Sequence, residues 1–196
     1  DGVSTQITLA DGRTICGDTV RGVLNRLGSV PTEQLGLANR ADREYASQEL
    51  LALFTSWLYA LPGPVLNRPT PLGLAGGWRH SSEWVWLASQ AGLPTPRYRE
   101  DSHGEMDTRP WGMLVPAGTP TQTVIVMERR CMGAAAPPFI IRGCQNLAQL
   151  AGTELLGIEF TAGPEGPWTF AGATPSPDLR LGSRALLDVL VSALRS

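Results

Sequence analysis

The last quarter of the chain constrains its fold most tightly. Leu156, Ile158 and Phe160 alternate with Leu155, Gly157 and Glu159, the period of a strand whose two faces meet different surroundings. A turn follows, then Pro167-Trp168-Thr169-Phe170-Ala171-Gly172-Ala173-Thr174-Pro175-Ser176-Pro177, and then a final helix. The alternation places Glu159 on the face opposite Leu156, Ile158 and Phe160.

Upstream, Ile7 and Leu9 alternate with polar neighbours before Asp11-Gly12, and Thr14-Ile15-Cys16 resumes the pattern, which predicts a hairpin. Asp18 to Leu27 reads as a helical turn followed by a short strand. Leu50, Leu51, Phe54, Trp57, Leu58 and Leu61 recur on one helical face, so the spacing predicts an amphipathic helix over 43–61, with Asp42 as N-cap and Pro62-Gly63-Pro64 as its stop. Val65-Leu66 reads as a buried strand. A second helix follows, capped by Ser81 or Ser82, with Trp84, Leu87, Ala88 and Ala91 facing inward and Gly92 past its end. Thr123 to Met127 reads as a strand, with Arg129-Arg130 turning into a return strand. Pro137-Pro138 reads as a break, followed by a short helix around Gln145 to Ala151.

A chain of 196 residues with 42% hydrophobic content can bury a substantial core. Sixteen basic residues against 18 acidic ones leave a net charge of −2 with no block of like sign, which argues against nucleic acid or an anionic membrane as partner. No apolar stretch reaches the ~20 residues of a membrane span. Every basic residue is arginine and none is lysine, a usage that fits a GC-rich bacterial genome. Cys16, Cys131 and Cys144 form neither a zinc motif nor a disulfide framework, and are read as incidental thiols in a reducing cytoplasm.

Two stretches carry a resemblance. The strand ending at Glu159 and the segment running to Ser176-Pro177 and its helix are similar to the metal-binding end of ATP-grasp enzymes of the glutathione synthetase and ribosomal-protein-glutamate-ligase type. There, the first strand ends in Gly-Val-Asp and the second in Glu-Val-Asn before a Ser-Pro, and Asp, Glu and Asn hold magnesium. Aligned on Ser176-Pro177, Glu159 stands at the Asp position, Gly172 at the Glu position and Thr174 at the Asn position. Glu159 is thus either a vestigial metal ligand or an ordinary strand carboxylate. Arg43 to Tyr98, with its long helix, Val65-Leu66-Asn67-Arg68-Pro69 and Ala91-Gly92-Leu93-Pro94-Thr95-Pro96, resembles the N-terminal domain of the same ligases.

The resemblance implies an α/β (α+β) chain: an N-terminal α/β pre-ATP-grasp-like unit over 1–98 and a truncated, antiparallel ATP-grasp-like unit over 99–196. It also implies what this chain lacks. The family uses lysines on two strands to hold the ATP phosphates, and arginine is no geometric equivalent. The family also fits about a hundred more residues between the two resembling stretches, a domain's worth of chain. The expectation is a pseudoenzyme without cofactor, a binding or assembly module in a larger homo- or hetero-oligomeric complex with a protein or peptide partner. The alternative is an ATP- and Mg-dependent carboxylate-amine ligase. Trp111, Arg129 and Arg130 are the candidate interaction residues, since Trp anchors interfaces and a pair of arginines can grip carboxylate or phosphate. His80, Ser81, Ser82 and Glu83 read as a helix start rather than a hydrolase cluster, and the acidic loop Arg99 to Arg109 reads as solvated surface.

Overall fold

The structure is a computed structural model that describes residues 5–32, 36, 39–97, 115, 119–161 and 167–195. Trp111 and the acidic loop lie outside the described residues. The chain divides into two units, Asp1–Gly77 with Leu190–Ser196, and Trp78–Val189.

In the first unit, β1 (Gln6–Thr8) and β2 (Thr14–Cys16) form the expected antiparallel hairpin, with Ile7 opposite Ile15. A 3-10 turn at Gly17–Thr19 leads to β3 (Val23–Leu24). Helix α1 (Arg40–Ala60) then returns the chain to β4 (Val65–Leu66), which pairs parallel with β3, Val23 against Val65 and Leu24 against Leu66. This is a βαβ crossover, the connection that parallel strands require. Helix α1 starts earlier than the apolar spacing predicts. Its N-cap is Asn39, whose side chain accepts from the Asp42 backbone N–H at 2.8 Å while its own amide donates to the Asp42 carboxylate at 2.6 Å. Asp42 therefore sits in the first turn as the reciprocal partner of the cap, where its charge also suits the helix dipole. Leu58, Leu61 and Val65 form the small core of this unit, with Val20, Val23 and Trp57 packed against it.

The paired strands carry the same tetrapeptide, Val-Leu-Asn-Arg, at 23–26 and 65–68, and its asparagines end both strands in buried positions. Asn25, 2% exposed, donates through its side-chain amide to the carbonyls of Asn67 at 2.9 Å and Leu74 at 2.7 Å, and accepts from the Leu27 backbone N–H at 3.1 Å. Three segments are thus tied by one side chain. Asn25→Ala is expected to destabilise this unit by about 2–3 kcal/mol, because each buried group left without its partner costs about 1–3 kcal/mol and the segments relax in part. Urea unfolding checks the value; a change under 0.5 kcal/mol would mean that water replaces the asparagine freely.

In the second unit, β5 (Gln122–Met127), β6 (Arg130–Gly133), β7 (Leu155–Thr161) and β8 (Thr169–Thr174) make an antiparallel sheet in the order β6-β5-β7-β8. One face presents Val124, Val126, Leu156, Ile158, Phe160 and Phe170, the alternation read from the sequence. Helices α2 (Ser81–Gln90) and α3 (Pro138–Ala151) cover it with Trp84, Leu87, Ala88, Ile140, Cys144 and Leu147. Pro137 and Pro138 do not break the chain here; they open α3, Pro137 as cap and Pro138 as its first residue, where a missing N–H costs nothing. The helix is accordingly longer than expected and ends at Gly152 in the left-handed conformation, φ 61°. The cap of α2 is His80, whose Nδ1 accepts from the Ser82 backbone N–H at 3.4 Å and lies 2.9 Å from Ser82 Oγ.

The sequence division at 98/99 groups α2 with the N-terminal unit. In the structure α2 packs against α3 and β8, and Pro94 O accepts from the Phe170 backbone N–H at 2.8 Å. On the other face of the sheet, Pro177 packs over Gly157, where a Cβ would meet it at 2.6 Å, and the 3-10 turn Leu179–Gly182 lies beside β5 and β6. Helix α4 (Ser183–Ala193) closes the described chain.

Candidate functional site

The candidate site grows from the pairing of β7 with β8. Ile158 faces Ala173 and Glu159 faces Gly172, but Phe160 faces Phe170, so the register slips between Glu159 and Phe160. Ala171 is the extra residue of a β-bulge. The bulge has a clear purpose in packing: Phe170 and Ala173 both belong to the core face, yet they are an odd number of positions apart and would point to opposite sides of a regular strand. Absorbing Ala171 keeps both on the core side and leaves Gly172 opposite Glu159.

Thr123 of β5 pairs with Glu159 in turn, so Thr123, Glu159 and Gly172 form one row across three strands, on the face away from the core. The next row is Ile125, Gly157 and Thr174, the one that Pro177 covers. The residues assigned by resemblance to a magnesium site are therefore neighbours on one face. Glu159 is half-buried and makes no hydrogen bond or ion pair with a described residue. At Gly172 a Cβ would meet nothing within 4 Å. Thr174 Oγ1 accepts from the Ser176 backbone N–H at 3.1 Å.

This donor set does not fit magnesium. The ion takes near-octahedral oxygen ligation from one or two carboxylates together with phosphate and water; here the three positions offer one carboxylate, one glycine and, in the adjoining row, a neutral hydroxyl already engaged with the backbone. Among the described residues no group of three or more His, Cys, Asp or Glu side chains is placed to hold a metal.

Arg129 and Arg130 stand at the tip of the β5–β6 hairpin, both exposed. Met127 pairs with Arg130, so Glu128 and Arg129 are the two central residues of the turn, at φ 49° and 63°. Positive φ at both is the geometry that Asn-Gly adopts without strain, and here two long side chains hold it. Gln145 of α3 fixes the turn by donating to Arg129 O at 2.7 Å, which leaves the guanidinium directed by an anchored backbone. Replacing Glu128-Arg129 with Asn-Gly is expected to raise stability by about 1 kcal/mol, read from the urea midpoint, by relieving that strain.

His80, Ser82 and Glu83 form a helix start. Arg79 ties it to α3, pairing with Glu83, donating to Ala151 O at 2.9 Å and lying 5.6 Å from the Trp84 ring centre. Of the cysteines, Cys16 is exposed, burial pushes the Cys131 thiol up to about 11, and burial together with the nearby Cys131 pushes Cys144 higher still. Both stay protonated at neutral pH and are poor nucleophiles. A disulfide reagent is expected to titrate Cys16 promptly in the folded chain and the other two only on unfolding.

Sequence reasoning named Glu159, Gly172 and Thr174 through the motif and missed the bulge that sets Gly172 opposite Glu159. It also missed the Val-Leu-Asn-Arg repeat, whose signal was plain in the letters.

No protein-family model matches the chain, and no curated protein matches it either. Solved structures do. The macrocyclase MdnC from Microcystis aeruginosa MRC, bound with precursor peptide MdnA, is similar at a TM-score of 0.70 and 12% identity, over 98% of this chain and 83% of that one. The ATP-grasp ligase PsnB, complexed with minimal precursor, Mg and ADP, gives a TM-score of 0.60 at 16% identity over 98% of this chain and 86% of that one. A Chryseobacterium gregarium RiPP-associated ATP-grasp ligase, in complex with ADP and a leader and core peptide, gives 0.61 at 10% identity over 98% and 79%. Identities this low speak to architecture alone, and on that evidence the chain has an ATP-grasp-like α+β fold.

Proposed function

We propose that this chain is a catalytically degenerate ATP-grasp-like protein, a pseudoenzyme that acts in the cytoplasm as a binding or assembly module for a peptide or protein partner. The observation that carries the reading is Gly172 opposite Glu159, which leaves a single carboxylate where the family pairs acidic ligands. The lysine-free sequence supports it from a separate part of the same chemistry, the grip on the ATP phosphates. The similar solved structures hold precursor or leader peptides, and that likeness supports a peptide partner for this chain. Arg129 and Arg130, exposed at an anchored hairpin tip, are the contacts proposed for a carboxylate on such a partner. A role as subunit of a larger homo- or hetero-oligomer belongs to the same reading. Among the described residues no helix is long and apolar enough to cross a membrane.

The test is calorimetric titration with ATP and magnesium, on the wild type and on Glu159→Gln. The proposal expects no binding heat at millimolar nucleotide. A dissociation constant at or below about 1 mM, a free energy of some 4 kcal/mol, that weakens in Glu159→Gln would overturn it and favour an ATP- and Mg-dependent carboxylate-amine ligase.

A further inference from the structure

We propose that the space between Glu159 and Gly172 receives the basic side chain, guanidinium or ammonium, of a peptide that adds to the edge of β8. The inference rests on the pseudoenzyme reading, because a divalent ion in this row would compete for the same carboxylate.

Three observations converge. Glu159 is half-buried and has no partner among the described residues; a carboxylate drawn partly out of water gains more from an opposite charge than an exposed one does. Its neighbour across the strand pair is the one residue type that leaves the space beside it empty, and the Cβ position of Gly172 meets no atom within 4 Å. Thr123 in the same row and Thr174 in the next are neutral, so this patch carries one negative charge. One charge suits a monovalent organic cation, which also forms directional hydrogen bonds to carboxylate oxygens.

The position on β8 supplies the peptide. This strand is the edge of the sheet. Among the described residues its outer side is paired at Phe170, to Pro94 O, and not over Ala171–Thr174. An extended peptide laid beside Ala171–Thr174 would continue the ladder past the point where Pro94 leaves it, and alternate side chains would fall on the face of Glu159. Main-chain bonds would provide the affinity and Glu159 the selection for a basic residue.

The experiment follows backbone amide shifts of the full chain, labelled with nitrogen-15, during titration with acetyl-Val-Arg-Val-amide and with its citrulline counterpart, which keeps the shape and loses the charge. The expected result is a saturable shift at Gly172 and its β8 neighbours with the arginine peptide, binding about tenfold weaker for citrulline and for Glu159→Gln, a loss of ~1.4 kcal/mol, and no shift in Gly172→Leu, which fills the space. Equal shifts from the two peptides, or an unchanged arginine titration in Glu159→Gln, would overturn the inference while leaving the pseudoenzyme reading intact. Broadening of the Gly172 amide by micromolar Mn²⁺ in the wild type would overturn both. Dispersion of the amide spectrum shows in each variant that the fold has survived.

Discussion

Phe160→Ala is expected to cost the Trp78–Val189 unit about 4 kcal/mol, a large share of the 5–15 kcal/mol that holds a domain of ordinary size together. Phe160 is fully buried, and its ring meets Trp168 edge-on at 5.3 Å and Phe170 at 6.4 Å. Truncation removes the transfer energy of the ring and both aromatic contacts, and leaves a cavity that Leu156, Ile158 and Phe170 are too well packed to fill. Phe160→Leu keeps most of the volume and is expected to cost under 2 kcal/mol. Urea unfolding followed by indole fluorescence measures both, since Trp168 leaves the ring contact as the sheet opens. If alanine costs less than 1.5 kcal/mol, the core face of the sheet is not the cooperative centre of the unit.

The reason for that centrality was legible in the sequence. Leu156, Ile158 and Phe160 recur with period two, and a period that regular leaves few alternatives for β7. One strand later the same logic has less to work on. Phe170 and Ala173 share a face only because Ala171 is absorbed in a bulge, and a bulge is set by pairing with β7, which local spacing does not contain. Pro137-Pro138 failed for a related reason: a proline pair is a stop when the chain before it is helical and a start when it is extended, and β6 ends only a few residues earlier. At the helix starts, Asn39 and His80 took the cap positions that were expected of Asp42 and Ser81 or Ser82. Several residues in each run can accept a backbone N–H, and tertiary packing chooses among them.

The candidate site was legible in a different way. Motif alignment brought Glu159, Gly172 and Thr174 together as letters, and strand pairing places them on one face. What no alignment supplies is the state of each group: a half-buried carboxylate without a described partner, open space beside a glycine, a threonine hydroxyl bound to the Ser176 N–H. Trp111 lies outside the described residues, and Arg129 and Arg130 are placed at an exposed turn, where their part in binding stands as a proposal.

Gly172→Glu is therefore expected to create a divalent-cation site, which on the proposed reading the wild type lacks. The backbone at Gly172 needs no special conformation, and a Cβ there meets no atom within 4 Å, so the first carbon of the new side chain is accommodated without a clash. Directly paired residues on one face hold their Cβ atoms about 5 Å apart, and two carboxylates at that separation repel each other unless a cation lies between them. The variant should accordingly be slightly less stable than the wild type in a chelator and regain that loss in Mn²⁺ or Mg²⁺, with a dissociation constant on the order of 10⁻⁴–10⁻³ M for a site of few charges. Manganese titration monitored by the broadening of amide signals in β7 and β8 reads the binding directly. Adding Thr174→Asn should tighten it, because the amide oxygen is a better ligand than a hydroxyl already committed to Ser176. Gly172→Gln, with the same shape and no charge, should bind none. If Gly172→Glu folds and still binds no metal, the missing carboxylate is not the only lesion in the row, and Glu159 is then best read as an ordinary strand carboxylate whose likeness to a metal ligand ends at its position.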